Sequence, residues 1–563
     1  MHSCMVLTQC SFGLHPKFVA SLRNNSTNPS SNTSPPLPDF QKQQKIMKPY
    51  RYHDQESLCS RHTDKVEEVR RIVHETKGEK ETLLLIDSLQ KLSVDYHFEE
   101  EIEEKMHSLY EKRLKIINGE ANNIMEVSLL FRLLRQAQYP ISTDVFDRFL
   151  DRRGEFMASL TKEIEGLISL FEASNLNFGG ELILYRANEF SRIHLKPYMT
   201  SLDADLAVHI KQILDNPYHL TLERFKARQI LDNNTSKFYY NFNIVELGKM
   251  DFSMIQSLHQ KELKEVSRWW KESGLGQELG FARVQPLKWF TWPMTCLPNP
   301  KFSKYRIVLS KVIAFVYLLD DIFDVKGSLD ELYLFTQAIE RWDHSSMNSL
   351  PDYMRACFKV LEDTINEIAR IVFEEHGWNS IEYLKKSWIQ LSKAFLVEAK
   401  WLIEDEVPTV DDYMKTSTVS CGVPLILVHL YFLLGHGVSE NLVENLRNLI
   451  SCPARILRLW DDLGSAKDEE QNGRDGSLLA CLMKENPHCS SQVARGKVMQ
   501  MIDEAWEELN KESFSLSTSM FSRDFVIVCL NAARMVRVIY NYDEEHKLPM
   551  LKEYINLLLF EQI

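Results

Sequence analysis

The sequence predicts an all-helical protein. From about Tyr50 onward, apolar residues recur at three- and four-residue spacing, as in Val127, Leu130, Phe131 and Leu134, and this is the period of an amphipathic helix. The chain lacks the strict apolar–polar alternation that is typical of strands, and no Asn-Gly pair joins two apolar runs as in a hairpin. We therefore expect two helical domains without a sheet.

Composition limits the class of protein. The chain has 563 residues, 44% of them hydrophobic and 26% charged, which is typical of a globular protein with two or more domains. The net charge of −13 argues against a general nucleic-acid-binding protein, which would need a basic face. Ten scattered cysteines without a Cys-x-x-Cys pair predict neither a disulfide framework nor a zinc site. We expect a monomer.

Residues 1–45 differ from the rest of the chain. They contain ten Ser/Thr, five Pro and one acidic residue, Asp39. A Ser-rich, acid-poor N-terminus resembles an organelle transit peptide, so we expect a plastid protein, with a cytosolic one as the alternative. A polar stretch near Asn233 then suggests a boundary between an N-terminal helical domain, 46–246, and a C-terminal helical domain, 247–563.

The longest apolar stretch runs from Val423 to Leu434 and contains His429. A membrane-spanning helix needs about 20 apolar residues, so this stretch is too short to cross a bilayer. We predict a buried core helix and no membrane span.

The sharpest chemical signal is an aspartate-rich segment at the end of an apolar run. Asp320, Asp321 and Asp324 follow nine residues of which most are apolar, and Gly327 is the expected helix stop. Asp320 and Asp324 would lie one helical turn apart and face the same way. Acidic side chains in the last turn repel one another and interact unfavourably with the negative end of the helix dipole. Bound cations would offset both effects. Oxygen ligands at this density suit Mg²⁺ or Mn²⁺.

A second oxygen-rich segment lies downstream. Asp461, Ser465 and Glu469 are spaced four residues apart, so they share one helix face and again offer the ligands that Mg²⁺ prefers. Arg458, one turn earlier, could bind a phosphate as a fixed cation. Two such segments facing each other across a helical bundle would form a clamp for a polyanion.

Together these segments resemble the signature of the plant terpene synthases, which carry an Asp-Asp-x-x-Asp motif and a downstream Asn/Asp-Asp-x-x-Ser/Thr-x-x-x-Glu motif. The resemblance extends to Arg283, which lies 37 residues before Asp320, and to Trp292, nine residues further on. Upstream segments starting at Arg132 and Gln256 are also similar to the family. The resemblance covers roughly residues 50–563.

The resemblance implies an active site in a C-terminal α-bundle and a relic N-terminal α-barrel. It implies three Mg²⁺ ions and a prenyl diphosphate substrate. By resemblance, the residues and their roles are the metal ligands Asp320, Asp324, Asp461, Ser465 and Glu469, with Asp321 in support; the diphosphate-binding Arg283 and Arg458; the cation-stabilising Trp292; and the lid residues Tyr540 and Asp543.

Two departures from the family pattern concern the product. The family's second arginine after Arg283 is replaced by Gln285, although Lys288 could compensate, and the tandem-arginine motif followed by a tryptophan is absent because Lys80 stands at the tryptophan position after Arg70. Both departures resemble the subfamily that makes the acyclic alcohols linalool, from geranyl diphosphate, and nerolidol, from farnesyl diphosphate.

Two alternatives remain open at this stage. One is a terpene synthase that releases acyclic hydrocarbons, such as myrcene or ocimene, or cyclic products. The other is a catalytically silent helical protein that binds a prenyl diphosphate. Release of inorganic diphosphate in the presence of magnesium would exclude the second alternative.

Overall fold

The computed structural model describes residues 52–118, 123–200, 204–232, 241–342, 344–437, 442–471, 477–515, 521–540 and 549–563. These residues form helices joined by turns, and their one strand-like pairing is an isolated bridge between Leu150 and Phe156. The all-helical prediction is confirmed. The α-helices are α1 (Tyr52–Glu75), α2 (Glu79–Lys91), α3 (Glu99–Asn118), α4 (Ile124–Gln136), α5 (Ile164–Ser174), α6 (Leu182–Leu195), α7 (Ala204–Asp215), α8 (Glu223–Asp232), α9 (Phe242–Glu272), α10 (Leu275–Glu278), α11 (Pro286–Cys296), α12 (Ser303–Asp321), α13 (Leu329–Arg341), α14 (Asp352–His376), α15 (Ile381–Glu404), α16 (Val410–Ser420), α17 (Val423–Leu433), α18 (Leu442–Gln471), α19 (Leu478–Glu485), α20 (Ser491–Phe514), α21 (Arg523–Ile539) and α22 (Pro549–Leu559).

The described chain separates into two compact units. The N-terminal unit contains the described residues of Lys48–Ser257, Glu507–Met520 and Tyr554–Ile563. The C-terminal unit contains those of Leu258–Trp506 and Phe521–Glu553.

In the N-terminal unit, the arginines of α4 serve the packing of the helices. Helix α4 packs on α5, and α5 packs on α6. Buried Arg132 pairs with Asp87, and Arg135 donates to both carboxylate oxygens of Glu181 at 2.7 and 2.8 Å. The arginines of this family-like segment therefore have structural partners inside their own unit.

Asp251 on α9 is a buried anion surrounded by donors from other segments of the same unit. Its Oδ1 accepts from the Tyr96 hydroxyl and lies 3.3 Å from His62 Nε2 and 3.1 Å from His97 Nε2. Arg224 Nη1 lies 3.8 Å from Oδ2. Burial alone would raise the pKa of the Asp251 carboxyl, but the two histidines and the Arg224 charge lower it overall. A satisfied buried charge of this kind joins α1, α8 and α9.

In the C-terminal unit, α12 is the buried central helix and packs on α11, α14 and α17. Its Arg306 is fully buried and donates to both oxygens of Glu262 at 2.8 and 2.6 Å. The same guanidinium donates to the carbonyls of Leu297 and Asn299, both at 2.8 Å. Because the arginine fork is planar, these four bonds fix the turn between α11 and α12.

Helices α16 and α17 are separated by a break at Gly422, which has a φ of 76°, a left-handed conformation that glycine adopts without strain. Nearly all of α17 is buried, which confirms the prediction of a core helix. Among the described helices, none alone has the length and apolar composition of a membrane span, although α16 and α17, bent by 44°, pass this test as a pair.

Candidate active site

The aspartate-rich segment lies where α12 changes from an α-helix to a π turn. Helix α12 ends at Asp321, and the π turn runs from Ile322 to Lys326. The Gly327 N–H, which follows the turn, donates to the Ile322 carbonyl at 2.8 Å. The sequence predicted a regular turn between Asp320 and Asp324, but the wider π turn sets their spacing instead. Single π turns inside α-helices occur frequently at functional sites.

Arg283 is held by the two consecutive aspartates of this segment. Its backbone N–H donates to Asp321 Oδ2 at 2.8 Å, and its Nε donates to Asp321 Oδ1 at 2.5 Å. Its Nη2 donates to Asp320 Oδ2. The remaining nitrogen, Nη1, is buried and has no hydrogen-bond partner among the described residues. Arg283 therefore has one edge bound to protein and a donor left for a ligand.

The carboxyl groups at this end of α12 are buried and repel one another, which raises the pKa values of Asp320 and Asp324. Burial, together with Asp321 and Glu398, raises the pKa of Asp320 to about 7 in spite of Arg283. Burial, Asp320 and Glu398 raise the pKa of Asp324 well above its usual range. Asp324 Oδ2 is buried without a hydrogen-bond partner in the part of the chain that is described. Converging oxygens of this type fit a divalent cation, which would supply the missing positive charge.

The second acidic segment lies on α18 and repeats this arrangement. Arg458 Nε lies 3.1 Å from Asp462 Oδ1, and its Nη1 lies 3.7 Å from Asp461 Oδ2. The Tyr413 hydroxyl accepts from Arg458 Nε at 2.8 Å and donates to Asp462 Oδ1 at 2.7 Å. Arg458 Nη1, like Arg283 Nη1, is buried without a hydrogen-bond partner among the described residues.

Glu398 on α15 interacts electrostatically with residues of both segments, and no sequence pattern predicted a role for it. Its charge raises the pKa of Asp320 and of Asp324. Its own pKa is raised by burial and lowered by Arg458, and its Oε1 accepts from the Ser420 hydroxyl at 2.6 Å. Glu398 therefore contributes to the electrostatics of both acidic segments. A glutamate in an amphipathic helix is too common to be recognised from sequence.

Other predicted site residues are only partly described. Trp292 is buried on α11, and Tyr540 is buried immediately after α21. The side chains of Ser465 and Glu469 lie outside the described residues, as does Asp543. Gln285 precedes α11, and its Oε1 is buried without a hydrogen-bond partner among the described residues. The roles predicted for all of these residues stay predictions.

The aromatic residues of α12 differ in their distance from the aspartate-rich segment. Tyr317 on α12 has its ring centroid 5.9 Å from the Arg283 guanidinium carbon. Phe315 lies edge-on to Trp388, with ring centroids 6.5 Å apart. Tyr305, at the other end of α12, donates its hydroxyl to Glu375 at 2.5 Å. Tyr317 therefore lies beside the aspartate-rich segment, whereas Tyr305 is bound to a glutamate near the end of α14.

Comparison with known proteins gives the family. Residues 271–508 match the model of the terpene synthase family, metal binding domain, and residues 39–214 match that of the terpene synthase N-terminal domain. A probable terpene synthase 13 of Ricinus communis is 44% identical over 87% of this chain and 86% of its own length. An (E)-nerolidol synthase of Cannabis sativa is 42% identical, over 85% and 88% respectively. A chloroplastic S-(+)-linalool synthase of Arabidopsis thaliana is 38% identical, over 90% and 89%.

A solved structure agrees with the sequence relatives. Isoprene synthase from grey poplar leaves, in complex with three Mg²⁺ ions and dimethylallyl-S-thiolodiphosphate, is 34% identical. It superposes with a TM-score of 0.82 over 92% of this chain and 99% of the poplar chain. The chain belongs to the terpene synthase family.

Proposed function

We propose that this terpene synthase ionises geranyl diphosphate, and farnesyl diphosphate when it is offered, and that water captures the resulting cation to give linalool and nerolidol. The observation that carries the proposal is the pair of buried arginine nitrogens, Arg283 Nη1 and Arg458 Nη1, beside acidic clusters on two helices. Buried unpaired donors are costly, and a diphosphate would satisfy both.

The acidic residues supply the metal ligands in this proposal. Asp320 and Asp324 would bind Mg²⁺ from α12, and Asp461, Ser465 and Glu469 would bind it from α18. Mn²⁺ has similar ligand preferences. The bound cations would neutralise the diphosphate charge and make it a better leaving group.

The protein's own residues then act on the two halves of the substrate. Arg283 and Arg458 would hold the diphosphate as donors that are already oriented, so their stabilisation of charge on the leaving group needs little reorganisation. Trp292 and Tyr317 would present ring faces to the allylic cation. The apolar surroundings of α11 and α12 would exclude bulk water until one molecule reaches the cation.

The capture step needs a water molecule held at the cation. Ser417 on α16 is fully buried, and its Oγ has no hydrogen-bond partner within the described residues. It lies on the same face of α16 as Tyr413, which binds Arg458, and Ser420, which binds Glu398. A hydroxyl in this position could hold the water that attacks the tertiary C3 of the cation.

The proposal of an acyclic alcohol as the product is also supported by two residues of the family pattern that this chain lacks. Gln285 replaces the family's second arginine, and Arg70 is not followed by the tryptophan of the tandem-arginine motif. The nerolidol and linalool synthases named above are 42% and 38% identical to this chain. The acid-poor N-terminus and the chloroplastic linalool synthase support a location in the plastid.

The proposal is tested with the purified full chain. Geranyl and farnesyl diphosphates are supplied separately, with Mg²⁺ or with EDTA, and the products are separated by gas chromatography on a chiral column. We expect tertiary alcohols and inorganic diphosphate with Mg²⁺ and neither with EDTA. Hydrocarbons alone would overturn the alcohol assignment, and no diphosphate release would overturn the enzyme assignment.

A further inference from the structure

Helix α16 has a buried face made entirely of hydroxyl-bearing side chains. Its buried residues are Tyr413, Ser417 and Ser420, and their spacing of four and three residues places them on one side of the helix. Core helices normally bury apolar side chains, and a buried polar atom needs a partner. The hydroxyls on this face of α16 are therefore expected to bind polar groups of the neighbouring helices.

Tyr413 meets an arginine and an aspartate at the same time. Its hydroxyl accepts from Arg458 Nε at 2.8 Å and also from Arg458 Nη2, and it donates to Asp462 Oδ1 at 2.7 Å. Asp462 Oδ2 in turn accepts from the Leu478 N–H at 3.3 Å, at the start of α19. The three side chains form a closed network between α16 and α18, tied at one end to the backbone.

This network determines which part of the guanidinium remains available. Nε and Nη2 are bound by Tyr413, whereas Nη1 has no hydrogen-bond partner among the described residues. A guanidinium is planar, so fixing two of its nitrogens fixes the direction of the third. Without the Tyr413 hydroxyl, Asp462 would still attract Arg458, but the plane of the guanidinium could rotate about that contact.

From this geometry we infer that Tyr413 is a positioning residue for the reaction. It orients Arg458 so that Nη1 faces the diphosphate, without touching the substrate itself. The inference rests on the proposed function, because it assigns the ligand of Arg458 as the substrate's diphosphate. The alternative is that Tyr413 only fills the core between α16 and α18.

The experiment compares Tyr413→Phe with a matched control, Tyr431→Phe, in the full chain. Tyr431 on α17 is also buried, and its hydroxyl donates to the Gly437 carbonyl at 3.1 Å. Each variant loses one hydrogen-bonded tyrosine hydroxyl of the same unit. The measurements are the affinity for inorganic diphosphate with Mg²⁺ by calorimetry, KM and kcat for geranyl diphosphate, and thermal unfolding.

We expect Tyr413→Phe to weaken diphosphate binding by about 10- to 100-fold, by analogy with the loss of a group that orients a metal ligand, with a matching rise in KM. Tyr431→Phe should bind diphosphate like the wild type. If the two variants lose the same thermal stability and neither loses diphosphate affinity, Tyr413 is only a packing residue and the inference is wrong.

A double-mutant cycle tests whether Tyr413 acts through Arg458. In an Arg458→Gln background, Tyr413→Phe should cause no further loss of diphosphate affinity, since the oriented group is gone. If the loss of diphosphate affinity in the double variant equals the sum of the losses in the two single variants, in free energy, the inference is wrong. Calorimetry needs no turnover, so a wild-type chain that binds diphosphate but releases no product would refute the proposed function and leave the role of Tyr413 open to the same measurement.

Discussion

Arg283 and Asp321 are joined through two atoms of each residue, since the backbone N–H and the Nε of Arg283 donate to different oxygens of the same carboxylate. Asp462 plays the corresponding part for Arg458 on α18. In both segments, the second aspartate of the consecutive pair therefore holds an arginine. The two acidic segments therefore share an arrangement: two consecutive aspartates, the second of which pairs with an arginine.

Replacing Asp321 with Asn should impair substrate binding more than metal binding. The amide keeps the shape of the side chain but removes the charge that fixes Arg283, so we expect kcat/KM for geranyl diphosphate to fall about 10- to 100-fold. Steady-state kinetics at several Mg²⁺ concentrations measure this, and the Mg²⁺ requirement should change little. The control is Asp352→Asn, which alters an exposed acid paired with Arg355. Wild-type kinetics for Asp321→Asn would refute the role assigned to Asp321.

The variants Asp461→Ala and Asp462→Ala should differ in their free energy of unfolding. Asp461→Ala, like Asp320→Ala, should abolish turnover and leave the helical circular dichroism intact. Asp462→Ala should also lower the free energy of unfolding by about 3–5 kcal/mol, because it leaves Arg458 as a buried charge without its closest carboxylate. Activity assays and chemical denaturation of the three variants separate the two effects. Equal stability of the Asp461→Ala and Asp462→Ala proteins would contradict the assignment.

Removal of the Ser417 hydroxyl should alter the product. If Ser417 holds the capturing water, Ser417→Ala should shift the products from alcohol toward acyclic hydrocarbon, because the cation then loses a proton before water reaches it. Diphosphate release should stay within a few-fold of the wild type. Thr418→Ala is the matched control, since the neighbouring Thr418 hydroxyl donates to the Met414 carbonyl of its own helix. An unchanged ratio of alcohol to hydrocarbon in Ser417→Ala would exclude this role.

The contribution of Asp251 to the free energy of unfolding should depend on pH. The pKa of this carboxyl is lower in the folded protein than in the unfolded chain, so its charge stabilises the fold above the unfolded pKa of about 4. That stability is lost as the pH falls through the lower folded pKa. The difference in unfolding free energy between wild type and Asp251→Asn should therefore be largest near neutral pH and shrink below about pH 4.

Urea denaturation at a series of pH values measures this difference. The exposed Asp363 on α14 offers a comparison, since Asp363→Asn removes an acid without a buried network. A stability difference for Asp251→Asn that stays constant down to pH 2 would show that the Asp251 charge does not contribute as proposed.

The class of fold and the residue types of the two acidic segments could be read from the amino-acid sequence alone. Helical periodicity is a local property, so it predicted an all-helical chain and the core helix α17. The spacing of Asp320, Asp324, Asp461 and Arg458 is also local, and it predicted oxygen ligands for a metal and a cation for a phosphate, roles that stay predictions. The resemblance to terpene synthases followed from these same residues.

The contacts around the acidic segments could not be predicted from the sequence, because they join residues that are far apart in the chain. Glu398 and Tyr413 lie far along the chain from the aspartates that they affect, and the sequence around them contains no motif that predicts a role for them. Only folding brings Tyr413 into contact with Arg458 and lets the Glu398 charge act on Asp320, where limited solvent access strengthens charge and hydrogen-bond interactions. The π turn before Gly327 was likewise not predicted from the sequence. A local pattern specifies which atoms are available, whereas burial and long-range contact decide which of them are bound by the protein and which are left for a ligand.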